Sequence, residues 1–244
     1  MGVLYKNVAL IFGGGVGVRA STNGIPKQFV KVGGVPIIVR TIKKFQANNQ
    51  VDAIVCVCVD GWLDHLQRLV NEYHLTKVVA IVAGGRNGQE SIFNGLETIS
   101  NLRLSDDAVV LIHDAVRPMI AQSLLDECVQ STKLLGSGIA SVVCHETVAS
   151  SYQSVVDEIF PRDELVLLKA PQCFFFKDIW QYHQVAKNTG LNSFTDSASM
   201  AKYFGHKLTL VNCDSQNIKV TYPEDVYILK ILLEIEENKE IFGY

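Results

Sequence analysis

The sequence predicts an α/β domain in which a mainly parallel sheet is covered by helices on both faces. Three observations carry that expectation. Short, continuously apolar runs alternate with stretches of helical periodicity from residue 7 to residue 144, the pattern of strands buried on two sides. Glycine-rich segments follow two of these runs, at Gly13–Gly17 and Gly84–Gly88. Of the 244 residues, 48% are hydrophobic and 19% charged, enough apolar side chain for a sizeable core without disulfides or metals.

Element by element, Asn7–Phe12 reads as a buried strand that runs into Gly13, Gly14 and Gly15. Pro36–Phe45 reads as a helix with proline in its first turn. Ala53–Val59 is a strand, and Trp62, Leu66, Leu69, Val70 and Tyr73 have helical spacing. Lys77–Val82 is a strand followed by a helix at Gln89–Ile99; Ala108–His113 is a strand followed by a helix at Ser123–Leu134; Ile139–Cys144 is a strand. The rhythm then breaks. Residues 145–170 are polar, then strand-like, with no helical pattern, and read as an arm that leaves the sheet. Helices are expected near Lys177–Ala186 and Thr195–Phe204, and short strands at Leu208–Val211 and Asn217–Val220. Pro223 opens a last helix to about Glu237, with Val226, Leu229, Leu232 and Leu233 on one stripe. No repeat or linker interrupts the chain, so residues 1–244 read as a single domain.

Composition excludes several function classes. No apolar run approaches the ~18–20 residues that a bilayer requires, and the N-terminus lacks a basic segment followed by a long apolar one. The six cysteines (56, 58, 128, 144, 173 and 213) form no CxxC pair, and without close Cys/His pairs a structural zinc site is not expected. Cys56 and Cys58 share one face of a strand and read as reduced core residues. A soluble, cytoplasmic chain with no membrane partner is expected. Nucleic acid is disfavoured as well, because 22 Lys+Arg against 25 Asp+Glu leave a net charge of −3 and no basic-aromatic stripe exists.

The charge is nevertheless uneven. Residues 1–51 hold seven basic side chains and no acidic one. Arg40, Lys43 and Lys44 suit a solvated helix face, whereas Arg19 and Lys27 flank the loop Gly13–Gly17, a combination that suits a polyanion. Glycines at a strand's carboxyl end let backbone N–H groups approach phosphate closely. Gly15-x-Gly17-x-x-Ala20 also matches a dinucleotide fingerprint, but Pro26 interrupts the helix that should follow and no acidic ribose ligand precedes Asp52. An NAD-dependent oxidoreductase would rest on that match alone. Two cations bracketing a nest of amides are what a triphosphate needs.

Three further segments carry candidate chemistry, the first two at the carboxyl edge of the predicted sheet. Asp114 and Arg117 follow the strand that ends at His113, where open α/β sheets bind ligands. The Asp could hold Mg²⁺ or a ribose hydroxyl, and the Arg a phosphate or the Asp itself; His113, of opposite parity, reads as a packed core residue. In Gly84-Gly85-Arg86-Asn87-Gly88, followed by Ser91, the amides and the serine could read a base, or Ser91 could cap the next helix. Lys219, between apolar neighbours and ahead of a proline-initiated helix, reads as a third phosphate-facing cation, with Asp225 supporting the helix dipole.

Taken in order, GGGxGxR, PKQF, GGxxxxxSIxNGL, VLIHDAVRP, PRDEL with PQCF, TDSAS and NIKVTxPED resemble the IspD/TarI-like cytidylyltransferase family over roughly residues 7–235. The resemblance implies a Rossmann-like three-layer domain whose inserted β arm clasps a second subunit. It implies CMP transfer from CTP to a sugar-alcohol phosphate, with Mg²⁺ or another divalent cation and release of pyrophosphate. Gly13, Gly14, Gly15 and Gly17 would cradle the phosphates; Arg19, Lys27 and Lys219 would be catalytic cations; Gly85 and Ser91 would read cytosine. Asp114 would lie by the ribose, the substrate or the metal, and Arg117 beside it. Thr147 and Arg162 would bind the acceptor in the partner's site.

The chain also departs from that pattern. Gly88 stands where relatives commonly carry an arginine, Ala149 where the arm usually has a lysine, and Lys169-Ala170 replace Gln-Thr before Pro171-Gln172. The missing arm lysine favours D-ribitol 5-phosphate, the precursor route to wall and capsule polymers, over 2-C-methyl-D-erythritol 4-phosphate of isoprenoid synthesis. A catalytically inactive nucleotide-binding relative is the alternative of another class; Gly88 and Ala149 speak for it, while Arg19, Lys27, Asp114 and Lys219 speak against it.

Overall fold

The computed structural model describes residues 3–13 and 24–242. The first strand, β1 (Tyr5–Gly13), sends Ala9 and Ile11 into one core and Val8 and Leu10 into another. That two-sided burial is why its stretch of residues 8–12 is unbroken by polar residues. A 3-10 turn, Lys27–Phe29, and a small hairpin of β2 (Lys31–Val32) and β3 (Val35–Pro36) lead into α1 (Ile37–Ala47). The hairpin was not legible in the sequence. Next come β4 (Ala53–Cys58), α2 (Leu63–Glu72), β5 (Val78–Ala83), α3 (Gly88–Ser100), β6 (Leu104–Asp114), α4 (Gln122–Leu135) and β7 (Ser137–Val143), close to their expected bounds.

The break in rhythm after residue 144 is a hairpin of β8 (Ala149–Tyr152) and β9 (Val155–Ile159), which forms a two-stranded sheet of its own. Its return limb is not separate from the main sheet. After a 3-10 turn at Arg162–Glu164, β10 (Val166–Phe175) runs between β6 and β7, antiparallel to both. The register shifts between Leu168 and Gln172, and Pro171 falls inside that shift, where no regular ladder bond is demanded of it. Then follow α5 (Phe176–Thr189), α6 (Ser197–Tyr203), β11 (Leu210–Asn212) and α7 (Pro223–Phe242).

The expected strand at Asn217–Val220 does not form. The Asn217 carbonyl accepts from Arg117 Nη1 at 2.6 Å and from Lys169 Nζ at 3.2 Å, so cations occupy it in place of a neighbouring strand. Lys219 therefore stands on an extended loop. Asp225 also does more than support a dipole: its Oδ2 accepts from the Thr221 and Tyr222 amides at 2.7 and 2.8 Å and fastens that loop to α7.

The seven-stranded sheet has the order β11-β7-β10-β6-β1-β4-β5, with β10 its antiparallel member. The chain builds outward from β1 to β5, then crosses back to β6 on the other side of β1. The carboxyl ends of β1 and β6 thus flank a topological switch point, the usual crevice for a ligand. Phe45, Leu66 and Leu125 from α1, α2 and α4 fill the core on one face; Leu96, Ile179 and Ala201 from α3, α5 and α6 fill the other. A third cluster packs Leu229 and Leu233 of α7 against Val32, Ile37 and Val116. At Gly95, a Cβ would overlap the Leu10 side chain, so this glycine lets α3 lie directly on the sheet and sets the height of its first turn. No helix among the described residues is long and apolar enough to cross a membrane.

Candidate active site

The carboxyl end of β1 is held from two sides. Gln28 donates from Nε2 to the Gly13 carbonyl at 2.9 Å, and a Cβ on Gly13 would stand 2.8 Å from that of Ala115. Beside it, Phe29 stacks on Trp62 with ring centroids 5.0 Å apart. Half-buried Lys27 therefore begins a turn pinned to the sheet by one neighbour and to α2 by the next. The expectations for Gly14, Gly15, Gly17 and Arg19 lie outside the described residues.

The end of β6 carries a charged corner. Asp114 Oδ1 stands 2.6 Å from Lys219 Nζ, and its Oδ2 lies 3.2 Å from Arg117 Nε. Burial pushes the Asp114 carboxyl up, but the positive charges of Lys219 and Arg117 together more than reverse that and hold it below the ordinary carboxylate range. Arg117 and Lys169 meet at the Asn217 carbonyl, and Asn217 Nδ2 donates to the Ala170 carbonyl at 2.8 Å. Lys169, one of the departures noted above, thus adds a cation that no local motif announced. Three cations around one carboxylate leave a net positive corner, suited to phosphate. His113 points the other way, as its parity predicts: it packs on Phe45 with centroids 4.9 Å apart, and its Nε2 donates to the Arg117 carbonyl at 2.9 Å. Burial lowers its pKa to about 4, so it is neutral.

Ser91 does not cap α3; Asn87 does, accepting from the Glu90 amide at 2.8 Å. Ser91, one turn in and fully buried, accepts from the Gly85 amide at 3.0 Å and donates to the Asn87 carbonyl at 2.8 Å. Its hydroxyl fixes the shape of the loop between β5 and α3. Glu90 folds back over Gly85, where a Cβ would collide with it, and accepts from the Arg86 amide at 2.8 Å.

A cavity of about 270 Å³ opens between these elements. Asp114, Arg117, Lys169 and Lys219 line it, with Phe12 and Ile112 from the strand ends and Gln89, His183 and Ser197 from the helices. Lys27, Gly85 and Ser91 do not line it. Thr147 and Arg162 do not line it either; they meet each other on the arm, Arg162 Nη2 donating to Thr147 Oγ1 at 3.3 Å. No three His, Cys, Asp or Glu side chains among the described residues are grouped to hold a metal. Mg²⁺ commonly needs only one or two carboxylates when substrate phosphates supply the rest. Asp114 fits that need, since each of its oxygens keeps a second lone pair beyond its ion pair.

Sheet order, glycine-ended β1 and the cationic corner define a mainly parallel α/β domain with a ligand crevice at its switch point, electrostatically suited to a phosphorylated ligand. The family model described as IspD, 2-C-methyl-D-erythritol 4-phosphate cytidylyltransferase, matches residues 7–235, and the chain belongs to that family. A ribitol-5-phosphate cytidylyltransferase of Streptococcus agalactiae is 44% identical over 238 residues, covering 97% of this chain and 99% of its own. A 2-C-methyl-D-erythritol 4-phosphate cytidylyltransferase of Clostridium novyi is 33% identical over 231 residues, covering 94% and 97%. The crystal structure of 4-diphosphocytidyl-2C-methyl-D-erythritol synthase from Anaerococcus prevotii shares the fold, with a TM-score of 0.78 over 94% of this chain and 96% of that one at 22% identity.

Proposed function

We propose that this chain transfers CMP from CTP to D-ribitol 5-phosphate and releases pyrophosphate. The observation that carries the choice of acceptor is the 44% identity, over nearly the whole chain, to a ribitol-5-phosphate enzyme, against 33% to a methylerythritol-phosphate enzyme. Ala149 on the arm agrees with it.

In the proposed reaction a phosphate oxygen of the acceptor attacks the α-phosphorus in line. The new O–P bond forms as the bond from the α-phosphorus to the bridging oxygen breaks, and pyrophosphate leaves with that electron pair. The attacking group is already an anion, so no protein nucleophile and no strong base is required. The work of the protein is to hold two polyanions together. The roles assigned to Gly13, Gly14, Gly15 and Gly17 are to offer amides to the triphosphate, and those of Arg19 and Lys27 to neutralise it. Gly85, in the shape fixed by Ser91, reads the base. Lys219 and Arg117 neutralise the phosphates that meet near Asp114, and Asp114 keeps both cations aimed. Asp114 would be the protein ligand of a divalent cation, which would supply charge neutralisation to the phosphates.

Thr147 and Arg162 belong, in this reading, to the acceptor site of a second subunit. Support comes from their contact on an arm whose Tyr152, Val155, Val156 and Ile159 are exposed, an apolar surface that a homodimer would cover. The activity is assigned to the cytoplasm, where CTP is available.

The test is pyrophosphate release from CTP and Mg²⁺ with each polyol phosphate offered separately. Release with ribitol 5-phosphate is expected. Release with methylerythritol 4-phosphate alone overturns the choice of acceptor, and CTP binding with no release from either overturns it too, leaving another polyol phosphate or an inactive relative.

A further inference from the structure

We propose that Gln89, His183 and Ser197 form an uncharged, hydroxyl-reading wall of the cavity that selects the acceptor by its polyol chain; this rests on the cytidylyl transfer proposed above. Seven buried side-chain polar atoms among the described residues lack a hydrogen-bond partner within the protein. Three of them, Gln89 Oε1, His183 Nε2 and Ser197 Oγ, belong to residues that line this one cavity. They come from three separate elements, the first turns of α3 and α6 and the middle of α5, so no single local fold accounts for the grouping. Unpaired buried polar groups are costly and rare, and several on one cavity wall point to a ligand that pairs them.

The chemistry of the three selects that ligand. Gln89 donates from Nε2 to the Leu191 carbonyl at 2.7 Å, which leaves Oε1 as a pure acceptor. Ser197 Oγ both donates and accepts. His183 is 2% exposed and Ser197 1%; burial lowers the His183 pKa to about 4, so its imidazole is neutral. A phosphate would be repelled by the lone pairs of Gln89 and is better received at the charged corner of the same cavity. A hydroxyl, which both gives and takes a hydrogen bond, suits all three. All three atoms are themselves buried, so pairing with such a group requires the Gln89, His183 and Ser197 side chains to turn toward the cavity. Ile92, Phe194 and Met200 line the same cavity and suit the carbon chain that carries the hydroxyls, and the charged corner opens onto it from β6 and the Lys219 loop. A neutral polyol chain ending in a phosphate matches the whole lining.

The experiment compares ribitol 5-phosphate with 1-deoxyribitol 5-phosphate, which lacks the hydroxyl farthest from the phosphate. The wild-type protein should prefer the parent acceptor by about tenfold or more in kcat/KM. Ser197→Ala combined with His183→Leu should shrink that preference to within about twofold, with the CTP Kd unchanged. Gln89→Leu should do the same from the third side. A preference that survives in all the variants overturns the wall, as does a loss confined to CTP affinity, which would assign these groups to the nucleotide. Unchanged kinetics in the variants, whatever the change in Tm, would show that the three atoms do not meet the acceptor, and also overturns it. Should the wild type use methylerythritol 4-phosphate instead, the ribitol reading fails separately; the same comparison then runs on that acceptor and its deoxy analogue. With an inactive protein, calorimetric affinities of the same acceptor pairs give the ratio.

Discussion

The ammonium of Lys219 stands 2.6 Å from Oδ1 of Asp114, and this ion pair uses one of its three donors. The Lys219 side chain is 43% exposed, so the other two remain available to a phosphate. Asp114 and Arg117, at 10% and 9%, are the buried part of the same corner.

Lys219→Ala should therefore act on rate. Removing a comparable electrostatic donor costs about 10²–10³ in kcat, and thermal stability should change little. Asp114→Asn should lower the rate as well, since Asp114 aims both cations, and should in addition cost about 3 kcal/mol of stability, because it leaves the buried Arg117 charge without its carboxylate. Steady-state kinetics and urea unfolding of both variants check the division.

Ser91→Ala should weaken CTP binding by roughly tenfold, since the Gly85 amide loses its acceptor and the loop loses its shape. The acceptor KM should not move. Calorimetric titration with CTP decides it, and an unchanged Kd would remove Ser91 from the nucleotide site.

Two buried histidines should make the fold acid-sensitive. His113 and His183 each have a pKa lowered to about 4, against 6.5 in the unfolded chain. Between those values the unfolded chain binds protons that the folded protein refuses, so stability falls as pH drops. The loss is complete at the folded value and absent above about pH 6.5. From pH 6.5 to pH 5 each should remove about 2 kcal/mol. Asp114, with its lowered pKa, adds a further loss only below the ordinary carboxylate range. Urea unfolding at pH 7 and pH 5 measures the fall, and His183→Leu should remove its share.

The arm permits a complementation assay. Lys219→Ala and Arg162→Ala proteins should each be weak alone. If the proposed homodimer forms, the two proteins unfolded and refolded together should recover about a quarter of wild-type activity, because a mixed dimer would have one site with both residues intact. Activity no greater than the sum of the parents would put Arg162 outside the partner's site.

Most of the scaffold was legible because strands buried on two faces leave unbroken apolar runs. β10 was not, since Pro171 argues against a central strand unless the register shift around it is known. The opposite error occurred at Asn217–Val220, where apolar residues imitate a strand although two side-chain cations claim the Asn217 carbonyl. Asp114, Arg117 and Lys219 stood out as charges beside apolar runs. Lys169, His183 and Ser197 did not. They enter the cavity through helix packing and the path of β10, which no local spacing encodes.

The chain has two tryptophans, and they lie on opposite faces of the sheet. Trp62 stacks on Phe29, next to Lys27; Trp180 lies 5.2 Å from Phe93 in α3, one helical turn beyond Gln89. Under the proposed function, each indole is thus a built-in optical probe of a different substrate half. A Trp62→Phe protein would report through Trp180 on α3 and α5, and a Trp180→Phe protein through Trp62 on the Lys27 turn. Stopped-flow emission from the pair would time the arrival of each substrate with no added dye.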